Sequence, residues 1–146
     1  MHKELIIAAA RAGKNVFTEK VLATNLKDAQ AIAKEVRASK IHFTISFPRR
    51  TFGFFLLAKK LIASGELGEI SLLRIRIAHG GSLADWLPPH FYNAKECGGG
   101  AMIDLGAHGM YLARWLLGKP VKITSTFNNL TDREVEDNAI SVIEFE

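Results

Sequence analysis

Cysteine is almost missing from this chain. Cys97 stands alone among 146 residues, which excludes an intrachain disulfide and a cysteine-built metal site. Long apolar runs are missing too: none reaches the length of a membrane span. The opening apolar stretch, Leu5 to Ala10, ends at Arg11 and is too short for a signal-peptide core. There is no basic stripe with interleaved aromatics. The net charge is +4, but lysine and arginine are scattered, adjacent only at Arg49-Arg50 and Lys59-Lys60, so nucleic-acid binding is not expected. Repeats and low-complexity tracts are absent. What remains, 48% hydrophobic and 23% charged, is a globular composition, and the default expectation is a soluble cytoplasmic protein with no membrane partner.

Taken in order, the chain changes grammar part-way. Residues 2–12 predict an amphipathic helix with Leu5, Ile6, Ala9 and Ala10 inward and Gly13 as its stop. A brief strand over 15–18 follows, then a helix from Leu26 to about Ala38 capped by Asn25, and a strand over 41–47 ended by Pro48. Helix, strand, helix, strand is the rhythm of a parallel α/β layer. A further helix is predicted over about 52–63, with a turn at Gly65-Glu66-Leu67-Gly68. Beyond it the segments alternate. Leu73, Ile75 and Ile77 oppose Arg74 and Arg76 over 69–79, which predicts a half-buried strand of a mixed or antiparallel sheet. Two more alternating strands are predicted over 121–127 and 139–146, joined by a polar connection. Residues 80–98 read as a long loop of the kind that often binds ligands. The sheets look unfinished at both ends of the chain, as if cut from something larger.

The stretch from Gly98 to Gly118 organises the rest. It predicts one helix entered from a triple glycine and closed by Gly118. Asp104, His108, Tyr111 and Trp115 follow at spacings that place them on one face. A carboxylate and an imidazole one turn apart on a mostly apolar helix need partners. Alone, the pair is as compatible with a helix-dipole contact and a core histidine as with a site. The triple glycine, with Gly106 and Gly109, suggests that a ligand approaches the backbone closely there.

Several segments then resemble one family. Gly-Lys-x-Val-x-x-Glu-Lys at 13–20 is similar to a segment of the glucose–fructose oxidoreductase, inositol dehydrogenase and rhizopine-catabolism (GFO/IDH/MocA) family, with His2 at the position of a family histidine. Ser64 to Ile70 resembles the family's turn into its C-terminal domain, Gly98 to His108 its second signature, and Val135-Glu136-Asp137-Asn138 a later one. The resemblance implies an α/β fold in two parts. Residues 1–47 would be the C-terminal part of a Rossmann NAD(P)-binding domain. Residues 48–146 would be the N-terminal part of an α+β substrate and oligomerisation domain.

It implies hydride transfer between NAD or NADP and a sugar, cyclitol or similar polyol. Lys20 would contact substrate and nicotinamide, and Glu19 the cofactor. Asp104 and His108 would be the paired site residues, with His108 as general base, and no metal is implied. Lys20, Asp104 and His108 are expected to converge on one cleft. Two departures accompany the resemblance. The family's Glu-Lys-Pro is Glu19-Lys20-Val21 here, and no Gly-x-Gly-x-x-Gly occurs, so the pyrophosphate of a dinucleotide lacks its usual cradle. The chain alone is therefore expected to be inactive and to bind NADH weakly.

A non-catalytic interaction or oligomerisation fragment with a vestigial site is the alternative. A metal-dependent hydrolase using Asp104 and His108 with His79 or His90 lacks a compact third-ligand motif. Other residues keep plainer readings. His42 and His79 are structural, His90, Tyr92 and Lys95 sit on a solvated loop, and Trp86 and Trp115 are packing residues. Arg49-Arg50 reads as a solvated pair or a phosphate contact. The unpaired strand edges predict a homo-oligomer through the strands at 69–79, 121–127 and 139–146.

Overall fold

The computed structural model describes residues 2–146, which divide into two compact units meeting between Ser46 and Phe47.

In the first unit, helices α1 (His2–Arg11) and α2 (Leu26–Ser39) accompany a parallel pair, β1 (Val16–Thr18) and β2 (Phe43–Ile45). The register sets Val16 beside Phe43, Phe17 beside Thr44 and Thr18 beside Ile45. Parallel strands need a crossover, and α2 supplies it. Asn25 caps α2 as its sequence position predicts: the side-chain oxygen accepts from the Asp28 N–H at 2.9 Å. Ile6, Ala10 and Ile32 form the small core. Lys3–Asp28 and Arg11–Glu35 ion pairs tie the two helices together at their rims.

The second unit opens with a 3₁₀ turn at Pro48–Thr51 and α3 (Gly53–Ser64). After a long connection, short α4 (Ala94–Cys97) leads into a π-helical segment, Met102–Gly106, and then α5 (Ala107–Leu117). Leu112, Ala113 and Leu116 on α5, with Val135, are the buried core. Strands β3 (Pro120–Asn128) and β4 (Asn138–Phe145) pair antiparallel, Ile123 opposite Ile143 and Ser125 opposite Ser141. The Ser141 hydroxyl lies 4.0 Å from the Met102 sulfur, so that face turns toward the π segment. The other face carries Ile140 and Val142, which are 69% and 65% exposed.

Two expectations are corrected here. Residues 69–79 keep the alternation, with Leu73, Ile75 and Ile77 half-buried and Arg74 and Arg76 exposed, but they form no strand. A strand is defined by its ladder, and among the described residues none pairs with this segment. The long helix predicted from the triple glycine to Gly118 is a π turn followed by an α-helix, closed as expected by Gly118 at φ 94°. The loop at 80–98 also holds structure of its own, a 3₁₀ turn at Pro89–Tyr92 and α4.

Candidate functional site

The helix that carries Asp104 and His108 begins on Glu136. Gly100 and Met102 each donate a backbone N–H to one carboxylate oxygen of Glu136 at 2.9 Å, and Ala101 donates to its carbonyl at 2.8 Å. The first N–H groups of a helix have no partner within it, and a carboxylate there meets both that need and the positive end of the dipole. This contact explains Gly100. A Cβ built at that position would lie 1.9 Å from the Glu136 carbonyl oxygen. The neighbour that needs the glycine is therefore the chain's own backbone, not a ligand, which corrects the reading of the triple glycine. Gly98, at φ 77°, closes α4. At Gly106 a Cβ would meet the Met102 sulfur at 2.3 Å, the end of a flexible side chain that can move aside. Gly109 faces Ile75.

Two members of the polar stripe, Tyr111 and Trp115, meet the Pro48–Thr51 turn. His108 Nδ1 lies 2.9 Å from the Tyr111 phenolic oxygen, which also accepts the Arg49 backbone N–H at 3.2 Å. The Tyr111 ring stacks on Phe47 with centroids 4.3 Å apart. The Arg50 guanidinium sits 5.0 Å from the centre of the Trp115 ring. Arg50 stays exposed while its guanidinium rests over the Trp115 ring. Burial pushes the Tyr111 phenol above its usual range, while the Arg49 amide and the charges of Arg49 and Arg50 pull it back. Phe47 and the Arg49 amide were invisible as site elements, because a backbone donor leaves no signature in side-chain pattern.

Asp104 borders a small cavity of about 50 Å³ whose other walls include His79, Tyr92, Glu136 and Asp137. The loop side of this wall is strapped down by Arg133. Its guanidinium lies 3.6 Å from the Tyr92 ring centre, donates to Asp85 at 2.8 Å and reaches the Ser82 carbonyl at 3.4 Å. Tyr92 in turn donates to the Gly81 carbonyl at 3.1 Å. His79 accepts the Gly81 N–H and packs on Trp86, in keeping with a structural role. On the other wall, burial alone would raise Asp137. Hydrogen bonds from the Thr131 hydroxyl and the Leu130 and Thr131 amides outweigh it and hold the carboxyl below its usual range. Arg133→Ala is expected to loosen residues 80–92 by about 1–2 kcal/mol of local opening free energy. Amide hydrogen exchange read residue by residue checks this: faster exchange confined to that loop is the expected pattern.

Glu19 and Lys20 lie in the first unit, directly after β1. Lys20 is half-buried, and its peptide bond to Val21 is cis. His2 Nδ1 sits 3.0 Å from the Val21 carbonyl, so the imidazole donates to the backbone just past Lys20. Asp104 and His108 lie in the second unit and are half-buried. Among the described residues no group of histidine, cysteine, aspartate and glutamate is arranged to hold a metal ion, and no helix is long and apolar enough to cross a membrane.

Two family models match the chain. One, described as the GFO/IDH/MocA C-terminal domain, covers residues 55–146; the other, an oxidoreductase family with an NAD-binding Rossmann fold, covers residues 1–47. The chain belongs to the GFO/IDH/MocA oxidoreductase family. An inositol 2-dehydrogenase from Rhizobium meliloti is 33% identical over 97% of this chain and 42% of its own length. A myo-inositol 2-dehydrogenase from Thermotoga maritima is 30% identical over 99% of this chain and 43% of its own. An NAD binding oxidoreductase of known structure from Klebsiella pneumoniae superposes with a TM-score of 0.86 at 27% identity, over 99% of this chain and 42% of its own. The chain therefore spans about two fifths of the length of these relatives.

The α/β fold agrees with that GFO/IDH/MocA membership. The dinucleotide fits these residues only in part. β1 runs into Glu19-Lys20 rather than a glycine turn, and the N-terminus of α2 is taken by its own cap, Asn25. Neither feature cradles a pyrophosphate.

Proposed function

We propose that this GFO/IDH/MocA chain holds a polyol or sugar for NAD(P)-dependent oxidation or reduction, with Lys20, Asp104 and His108 as its catalytic residues and Glu19 toward the cofactor. The observation that carries the reading is the helix at 102–117. It presents a carboxylate and an imidazole four residues apart, inside a segment matched by the family's C-terminal domain. Oxidising an alcohol carbon removes a hydride and a hydroxyl proton. The proton is the part these residues manage. Histidine titrates near neutral pH and takes it; Asp104 holds the substrate hydroxyl or the imidazole; Lys20 sets a positive charge beside the developing alkoxide. NAD is the cofactor named for the family, and use of NADP is part of the proposal.

Residues 1–47 are read as the C-terminal part of a Rossmann domain and 48–146 as the N-terminal part of a substrate domain. Myo-inositol, suggested by the names of the two dehydrogenase relatives, is the first substrate to try. Calorimetric titration tests the reading. Saturable myo-inositol binding, weakened roughly ten- to hundredfold by Asp104→Asn, is expected from loss of one charge-assisted hydrogen bond. No binding by any of a panel of polyols and sugars would favour the second reading, a non-catalytic interaction module. NADH binding by the chain alone is expected to be weak in a fluorescence titration.

We also propose self-association through the β3–β4 sheet. Its support is the outward apolar face at Ile140 and Val142, each about two-thirds exposed. Light scattering at micromolar concentration is expected to give a dimer or tetramer, and the double variant Ile140→Glu, Val142→Lys a monomer. A monomeric parent protein would end this proposal.

A further inference from the structure

The reading of His108 as a base leaves open which ring nitrogen exchanges the proton. The two are not equivalent, because the hydrogen bond made by one fixes the tautomer and so the state of the other. One hydrogen bond to the His108 ring is made by Tyr111. Its phenolic oxygen lies 2.9 Å from Nδ1, three residues along the same helical stretch, with the two rings edge to face at 5.5 Å. The oxygen is itself held from two sides. Phe47 stacks on the ring, and the Arg49 backbone N–H donates to the oxygen at 3.2 Å. A backbone amide can only donate, so the phenolic oxygen is already an acceptor in this network. Tyr111 is only half-buried, which leaves its own proton within reach of solvent.

We propose that Tyr111 is the positioning residue for His108: its oxygen accepts the Nδ1–H as well as the Arg49 N–H, so proton exchange with a substrate hydroxyl takes place at Nε2. This deepens the proposed function and rests on it for its catalytic meaning. The proton balance is simple. The substrate O–H bond breaks, its proton bonds to Nε2, and the resulting imidazolium keeps Nδ1–H on Tyr111 throughout. No second proton has to move at the moment of reaction, and the ring does not turn. The Pro48–Thr51 turn is thereby part of the site without touching substrate, because its amide fixes the tyrosine that fixes the histidine.

The experiment is nitrogen-15 NMR of the His108 ring in the intact chain at a pH where it is neutral, for the parent protein and for Tyr111→Phe. Phenylalanine keeps the ring that stacks on Phe47 and removes only the hydroxyl. In the parent protein the proposal expects a dominant Nδ1–H tautomer, with Nδ1 reading as a protonated nitrogen and Nε2 as a bare one. In Tyr111→Phe the tautomer balance is expected to shift toward Nε2–H while the backbone amide spectrum keeps its dispersion. A parent protein already in the Nε2–H form overturns the proposal, and so does an unchanged balance in Tyr111→Phe. If Tyr111→Phe loses dispersion, the parent tautomer alone decides between the same two results. The measurement requires neither cofactor nor turnover. Failure to bind any polyol therefore counts against the proposed function, while a wrong tautomer counts against the role of Tyr111.

Discussion

Gly100→Ala is expected to cost about 3 kcal/mol or more of folding free energy, a large effect for one added methyl group. The methyl would sit 1.9 Å from the Glu136 carbonyl oxygen, and that oxygen belongs to backbone that no rotamer change can move aside. To relieve the clash, the entrance of the helix must part from residues 135–137. The Glu136 contacts to the N–H groups of Gly100, Ala101 and Met102 are then stretched or broken. Glu136→Ala separates the two causes. It removes the carboxylate without a clash and is expected to cost about 1.5–3 kcal/mol. Gly53→Ala is the control, since an added Cβ there meets nothing within 4 Å and alanine favours the helix. Urea denaturation reads all three. A Gly100→Ala protein within about 0.5 kcal/mol of the parent, the ordinary range for a harmless surface change, would contradict the account of the helix entrance.

The second large effect is chemical. In a protein that carries this chain and turns over a polyol with NAD, His108→Gln is expected to lower kcat by about 10²–10⁴ with a much smaller change in KM. Glutamine preserves size and some hydrogen bonding but cannot take up a proton near neutral pH. Steady-state rates with myo-inositol check it. A variant that keeps its turnover and loses only affinity would recast His108 as a binding residue.

Much of this was legible in the sequence because it rests on local rules. Asn25 capping α2, Gly118 ending α5 and the alternation through β4 follow from side-chain chemistry and periodicity, and each is present. Strand β3 is present too, but its sequence alternation is not matched by burial, since every residue in it except Ser125 is exposed. The stripe from Asp104 to Trp115 was likewise readable from spacing. What faces it was not. Phe47, Arg49 and Arg50 lie some sixty residues earlier, and Tyr111 is met there by a backbone amide that any residue offers. The triple glycine shows the same limit from the other direction. Its cost in backbone freedom was visible, but the reason, contact with Glu136, spans 36 residues and is tertiary. Residues 69–79 carry a strand's alternation without a strand's ladder, because alternation reports which face is buried whereas pairing depends on a neighbour. Glu136 itself was within reach, as part of a recognised segment, yet nothing local distinguishes a helix-capping carboxylate from a catalytic one.

The central claim is that the helix at 102–117 presents Asp104 and His108 to a polyol substrate. The most direct measurement is a two-dimensional NMR titration of the chain with myo-inositol and, beside it, a panel of polyols and sugars, following backbone amides and the His108 ring. The account predicts saturable shifts with at least one of them at Asp104 and His108. It is contradicted if none of the compounds perturbs that helix, or if the shifts saturate at a separate group of residues while Asp104 and His108 stay in place.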